Sequence, residues 1–266
     1  MEVAERSLAL AERQFGPDHI DITPPLNNLA ALYKSQGRYA DAEPLYNRSL
    51  IIRQKVRGPD HPDVALALNN LAGLYHAQGR YTEAEPLFKR SLAVREKALG
   101  PEHAYVGEAL NNLATVYDAQ GRYTEAEPLL KRSLAVREKA LGLDHPDVGT
   151  SLNNLALVYK NQGRYADAEP LYKRSLLIRE KARGTNHPDV ALALNNLGLL
   201  YMTQGRYAEA EPLYKRALSI REKALGLDHP SLGTPLNNLA ELYREQVATP
   251  RPNRCISVRW PATKGR

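Results

Sequence analysis

The sequence predicts an all-α solenoid of stacked antiparallel helix pairs, and three observations carry that reading. First, a double asparagine recurs at residues 27–28, 69–70, 111–112, 153–154, 195–196 and 237–238, each pair 42 residues after the last with no insertion or deletion. A fixed period of this length marks a repeat architecture in which each unit is stable only against its neighbours. Second, within each period apolar residues return at three- and four-residue steps, the spacing of a buried helical face. Third, glycine and proline fall at fixed places between these stretches, where helices stop and start.

The unit from His61 to Gly100 shows how each element arises. His61-Pro62-Asp63 reads as a helix start. Proline is preorganised for the first helical position, and aspartate suits the positive end of the helix dipole. Val64, Leu68, Leu71, Ala72 and Tyr75 then form one apolar stripe. Gln78-Gly79-Arg80 ends this first helix, glycine supplying a left-handed turn. A second helix is expected from about Thr82 to Leu99, with Ala84, Phe88, Ser91, Leu92 and Val94 on its packing surface, and Gly100-Pro101 closes it. Pro86 falls near the first turn, where few backbone donors have helical partners.

The ends vary the pattern. In the first unit, Thr23 is expected as cap with Pro24 at the first helical position, and Thr234-Pro235 repeats the device in the sixth. Met1 falls inside a second helix, because Arg6-Ser7-Leu8 matches Arg48-Ser49-Leu50 in register. The expectation is twelve helices over residues 1–246: half a unit at 1–19, five full units over about 20–229, and a lone first helix at 230–246 that ends near Gln246. Neither end shows a polar capping helix, so the array reads as a segment of a longer one, with ends able to associate with each other.

Residues 247–266 break the repeat and form a basic tail expected to be disordered. The repeat calls for Gly-Arg-Tyr after Gln246, but the chain reads VATPRPNRCISVRWP. Codons for the expected GRYAEAEPLYKRSLA, read after loss of one G, translate to that tail. The tail also explains the net charge of +6. Removing Arg251, Arg254, Arg259, Lys264 and Arg266 from the 36 basic residues leaves 31 against 30 acids. An almost neutral array speaks against nucleic acid or a membrane surface as partner. Charges inside the units, such as Glu85 and Lys89, alternate at helical spacing and read as a solvated face. No stretch approaches the ~18 apolar residues of a membrane span. The N-terminus lacks the apolar core of a signal peptide, and Cys255 alone makes no disulfide framework, so the cytoplasm is the expected compartment.

The spacing of Leu68, Leu71-Ala72, Tyr75, Gly79, Tyr81, Ala84, Phe88 and Ser91 resembles the tetratricopeptide repeat. The 42-residue period, the long second helix and the LG-x-x-HP connection are similar to its kinesin light chain and nephrocystin type. Leucine stands for the usual tryptophan, and alanine usually replaces the glycine of the Leu-Gly pair. A heptad coiled coil, through which a kinesin light chain joins its motor, is missing, so no motor function is carried over. The resemblance implies a right-handed superhelix whose first helices line a concave groove that binds peptides or protein segments.

Chemistry other than binding finds no support. His19, His61, His103, His145, His187 and His229 stand one per unit, separated by at least a helix-packing distance of about 8–10 Å, whereas ligands of one zinc sit ~2 Å from it. Each is expected in a loop near a helix start. A near-perfect repeat multiplies any catalytic set instead of building one irregular pocket, and no Walker loop or H-E-x-x-H is present. No catalytic residue, metal or cofactor is assigned. In the groove, Asn28, Asn70, Asn112, Asn154, Asn196 and Asn238 are candidates to bond a peptide backbone. Alternatively, one asparagine of each pair bridges adjacent units. Specificity must come from positions that differ. One column is Lys34, His76, Asp118, Lys160, Met202 and Arg244; another is Ala31, Gly73, Thr115, Leu157, Leu199 and Glu241.

The expected function is a non-catalytic scaffold that binds a peptide or partner protein. The alternatives are a sensor array separated from an N-terminal effector such as an NTPase, or a truncated gene fragment. Sequencing the gene across codon 246 tests the frame. A reading frame one nucleotide away should encode GRYAEAEPLYKRSLA, and a gene without that hidden repeat rules the shift out.

Overall fold

The computed structural model describes residues 1–227, 229 and 232–248. Among these the chain is helical, with no strand. The single half-unit helix is α1 (Glu2–Phe15). The first helices of successive units are α2 (Thr23–Ser35), α4 (Pro62–Ala77), α6 (Ala104–Ala119), α8 (Pro146–Asn161), α10 (Pro188–Thr203) and α12 (Gly233–Ala248). The second helices are α3 (Tyr39–Arg57), α5 (Tyr81–Leu99), α7 (Tyr123–Leu141), α9 (Tyr165–Arg183) and α11 (Tyr207–Leu225). Residues 1–185, with α1 to α9, form one compact unit, and the chain from Asn186 onward forms a second, with α10 to α12. The expected tail lies outside the described residues from 249 onward.

Local chemistry sets the helix ends. His61, His103, His145 and His187 are N-caps, and the Nδ1 of each accepts a hydrogen bond from the backbone N–H two residues on, at 3.1–3.2 Å. Proline then takes the first helical position at 62, 146 and 188. At the other end Gly79 adopts φ +73°. Arg80 N–H bonds Tyr75 O at 2.9 Å and Gly79 N–H bonds His76 O at 3.0 Å, a double closure that satisfies carbonyls left over at the helix terminus. Gln246 is followed by valine instead of glycine, and α12 accordingly runs on to Ala248, two residues past the expected end.

Two expected caps are corrected. In the first unit a 3-10 turn (Ile20–Ile22), capped by His19, precedes α2, and Ile22 is the N-cap. Thr23 is buried at the start of the helix and accepts from Arg53 Nε at 3.2 Å. In the sixth unit Gly233 opens α12, and Thr234 lies inside it. Pro86 sits at the sixth position of α5, deeper than expected, where its ring forfeits a bond to Thr82 O and faces solvent.

The first helices carry the core. Leu68, Leu110 and Leu152 are fully buried, as are the alanines Ala72, Ala114 and Ala156 that let a large second-helix side chain approach. Phe88, Leu130 and Tyr172 fill that place from α5, α7 and α9. Within each pair a buried second-helix serine donates to a first-helix carbonyl: Ser91 to Ala65, Ser133 to Gly107 and Ser175 to Gly149, at 2.6–2.8 Å. Leu92, expected on the packing surface, is only half-buried. Arg95, one of a repeated set, is buried instead. Arg53, Arg95 and Arg137 reach into the next unit and donate to the first-turn carbonyls of Asp63, Tyr105 and Asp147, at 2.6–3.0 Å. Burial lowers the pKa of Arg53 and Arg137, with Asp63 and Asp147 opposing it.

Glu85 is more than part of a solvated face. It pairs with Lys89 on its own helix at 2.6 Å and accepts from the next unit's Arg122 at 2.7 Å and Tyr117 hydroxyl at 3.2 Å. Glu43 receives Arg80 and Tyr75 in the same way, and Glu127 receives Arg164. Each of these arginines stacks over its partner tyrosine or the equivalent Tyr159, 4.1 Å from the ring centroid. The arginine of the Gly-Arg-Tyr turn is therefore an inter-unit fastener as well as punctuation.

Two outcomes follow from these contacts. Ser133→Ala deletes a fully buried donor that also contacts Ser151 Oγ at 3.0 Å; the chemical denaturation free energy should drop by about 1–2 kcal/mol. Acid should unfold the array through its shared carboxylates. Burial raises the Glu85 pKa, but the bonds from Lys89 and Arg122 outweigh it, and Glu127 is held low chiefly by Lys131. A depressed folded pKa gives stability that is present above the ordinary carboxylate value of about 4.3 and lost as pH falls through the lower folded value. The urea midpoint should hold to about pH 5 and fall below it, less steeply in Glu85→Gln.

Candidate functional site

The first helices α2, α4 and α6 enclose a pocket of about 280 Å³. Lys34 enters from α2; Asn69, Asn70, Gly73 and His76 come from α4; Asn112 and Thr115 come from α6. Tyr46 and Phe88, from second helices behind, complete it. Gly73 lines the pocket where the other units carry alanine, threonine, leucine or glutamate. A Cβ at Gly73 would lie 3.3 Å from the Lys34 ammonium, which occupies that space. Lys34 is half-buried, and burial lowers its pKa. His76 is also held below its usual range, chiefly by burial with the Lys34 cation adding to it, and its buried Nε2 lacks a well-formed hydrogen bond. No acidic side chain lines this pocket.

The asparagines do something more specific than line a groove. Asn153 Nδ2 donates to Asn154 Oδ1 at 3.3 Å, and Asn154 donates to Asn111 Oδ1 of the preceding unit at 3.0 Å. Asn111 reaches Asn112 at 3.5 Å, and Asn112 donates to Asn69 at 2.9 Å. Asn69 ends on the Glu108 carboxylate at 3.4 Å, whose other oxygen faces Arg95 at 3.1 Å. One directional ladder thus crosses three units and terminates on an anion. In the third and fourth pairs the two asparagines have different places, while Asn69 is half-buried like Asn70. Asn111 and Asn153 are buried, whereas Asn70, Asn112 and Asn154 are half-buried along the outer edge. Asn27 Oδ1 is buried without a partner, and Asn28 is exposed.

The variable columns separate into distinct groups. Lys34 and His76 share the pocket with Asn70 and Asn112. Farther along, Asp118 accepts from Asn161 Nδ2 at 3.1 Å; burial raises its pKa against that bond and the nearby Lys160. Lys160 is lowered by burial, with Asp118 opposing, and Leu157 is half-buried beside it in α8. The remaining candidates belong to the second compact unit. There Leu199 is exposed, Met202 is half-buried with its sulfur 3.8 Å from the Tyr214 hydroxyl, and Asn196 and Asn238 are half-buried. Arg244 pairs with Glu241. Sequence reasoning missed the Glu108–Arg95 end of the ladder. The signal for it was an arginine repeated at one second-helix position.

A stack of helix pairs held by repeated, identically spaced contacts, with its variable side chains gathered on the first helices, defines a repeat scaffold of the α-solenoid class. The chain belongs to the tetratricopeptide repeat family. The family model matches successive windows at residues 2–50, 21–97, 63–139, 108–180, 147–223 and 189–246. Proteins of this family typically serve protein–protein interaction. The structure is similar to the crystal structure of BtubC (BKLC) from P. vanneervenii, with 27% identity, a TM-score of 0.71, and coverage of 86% of this chain and 92% of that one. It is also similar to a putative kinesin light chain with nearly identical TPR-like repeats from Podospora anserina, at 28% identity and a TM-score of 0.63 over 78% of this chain and 98% of that one. No curated protein sequence matches the chain. No described helix is long and apolar enough to cross a membrane. Among the described residues no three His, Cys, Asp or Glu side chains come together as metal ligands.

The ladder makes a quantitative prediction. Asn112→Ala leaves Asn69 Oδ1 without its donor and should cost about 1–2 kcal/mol in denaturant titrations. Combined with Asn69→Ala the losses should be non-additive by at least about 0.5 kcal/mol, because both variants break one bond.

Proposed function

We propose that this chain is a non-catalytic scaffold that takes an extended peptide or partner-protein segment along its first-helix groove, with an acidic side chain of the ligand entering the pocket at Lys34 and His76. One observation carries the reading: a half-buried lysine in a polar pocket that contains no acid. Removing an amine from water without a counter-charge is unfavourable, and a ligand carboxylate repairs it with a charge-assisted hydrogen bond. Asn70, with no bond to Asn27, and Asn112 stand at the rim with amide groups suited to a peptide backbone. Asp118, one unit on from His76, supplies a carboxyl where the pocket has a cation, and that difference gives an extended ligand a direction. A cytoplasmic setting accords with a chain whose one cysteine stands apart from the array.

Peptide-display selection on the full chain, followed by calorimetry of the best ligand, tests this reading. Binding near micromolar, about 8 kcal/mol, is expected for a ligand with an acidic residue. Lys34→Glu should weaken it at least tenfold without changing the helical circular-dichroism spectrum. Equal binding by Lys34→Glu, or selected ligands without an acid, would sink the assignment.

A further inference from the structure

Several polar side chains at the pocket between α2, α4 and α6 are engaged with one another. Asn112 donates to Asn69, Asn69 to Glu108, and the Thr115 hydroxyl to Asn112 O at 2.7 Å. The same pocket holds four groups that are not engaged. The Lys34 ammonium, the Tyr46 hydroxyl and the Asn70 amide form no hydrogen bond or ion pair among the described residues. The buried His76 Nε2 lacks a well-formed one. Tyr46 is the sharpest case, because it is only 4% exposed and a hydroxyl removed from water without a partner is unfavourable. Burial raises its pKa, so the hydroxyl keeps its proton and remains a donor.

Resting on the reading that an acidic ligand side chain enters at Lys34 and His76, we propose that its acid is a phosphomonoester, borne by a phosphoserine or phosphothreonine. What separates phosphate from carboxylate is the spread of the donors. Lys34 comes from α2, Tyr46 from α3, and Asn70 and His76 from α4. A carboxylate presents two oxygens in one plane, whereas a phosphomonoester presents three acceptor oxygens arranged tetrahedrally. Donors converging from three helices suit the second. Charge agrees, since a phosphomonoester carries about −1.5 to −2 at pH 7. Lys34 supplies one positive charge, and no acid lines the pocket to oppose it. Burial and the lysine hold His76 neutral in the empty pocket, and a dianion beside it reverses that balance. At about 280 Å³ the pocket is below the size that takes a whole drug-sized ligand and suits a single side-chain group. The donor set is confined to this joint. One unit on, the places of Tyr46, Lys34 and His76 are taken by Phe88, His76 and Asp118, so the hydroxyl is lost and an acid gained.

Retention of the full-length protein on short degenerate peptides tests this, with sets that differ only in a central phosphoserine, glutamate or serine. The phosphoserine set should hold the protein about tenfold more tightly than the glutamate set, and the serine set least. Tyr46→Phe keeps the ring, as Phe88 does one unit on, so circular dichroism should be unchanged. Its preference for phosphoserine over glutamate should fall by about threefold or more. Lys34→Met should abolish retention on both charged sets. Equal retention on phosphoserine and glutamate, or a preference untouched by Tyr46→Phe, would overturn the phosphate assignment and leave the acidic-ligand reading standing. Inorganic phosphate that binds in calorimetry as tightly as the phosphoserine peptides would give the pocket to the free ion and overturn the ligand-borne group. Charged sets that hold the protein no better than serine, or that still hold Lys34→Met, would remove both readings.

Discussion

The shared second-helix glutamate is the interaction on which the rest of the stack depends. Glu85 takes a lysine from its own helix and an arginine and a tyrosine from the next unit, and Glu43 repeats the inter-unit part. A carboxylate has lone pairs enough for all three donors, and partial burial makes leaving any one unmet costly. The arginine is itself stacked on the tyrosine, so one unit's turn is positioned by the other unit's helix. Because partners recur at fixed offsets, the contact sets the register between units. A residue added or lost between units would separate both inter-unit donors, the arginine and the tyrosine, from their acceptor at once. This gives a physical reason for a period of 42 held without an indel through the array.

Below that fastener the buried arginines perform a second registration. Arg53, Arg95 and Arg137 cap first-turn carbonyls of the following helix from within the core. Only Arg95 has an acid in direct contact, Glu108, and that acid is also where the asparagine ladder ends. The buried arginine and the ladder are therefore linked at one place. Stability of such an array is a sum of unit and neighbour terms, and polar neighbour terms recur at the joint between the second and third full units and at the joint after it.

The consequence for recognition is a division of labour. The asparagines from Asn69 to Asn154 largely satisfy one another, so their capacity for a ligand is what remains at the rim: the half-buried second members Asn70, Asn112 and Asn154. Discrimination falls to side chains that vary, and the pocket is lined by several of them: Lys34, Gly73, His76 and Thr115. Glycine at position 73 admits the Lys34 ammonium, and no acid follows it. A small residue on one helix and a long cation on its neighbour form one feature, though they sit 39 residues apart.

The sequence by itself determined the period, the helix pairs, the histidine-proline starts and glycine stops, and the apolar stripe of Leu68, Leu71, Ala72 and Tyr75. These depend on backbone preferences and on periodicities of three to four residues, which are local. It misplaced Thr23 and Thr234 as caps, because a 3-10 turn in one unit and a glycine start in the other shift the boundary by about one residue. Only the tertiary structure decided which polar residues are consumed. Glu85 and Lys89 read as an ordinary surface pair until Arg122 is brought in from 37 residues away. The asparagine pairs look equivalent along the chain, but at 111–112, 153–154 and 195–196 stacking makes them unequal, the first member buried and the second half-buried. The reason is physical: a helix repeats every 3.6 residues, but what its flank meets is fixed by the next helix pair, 42 residues on.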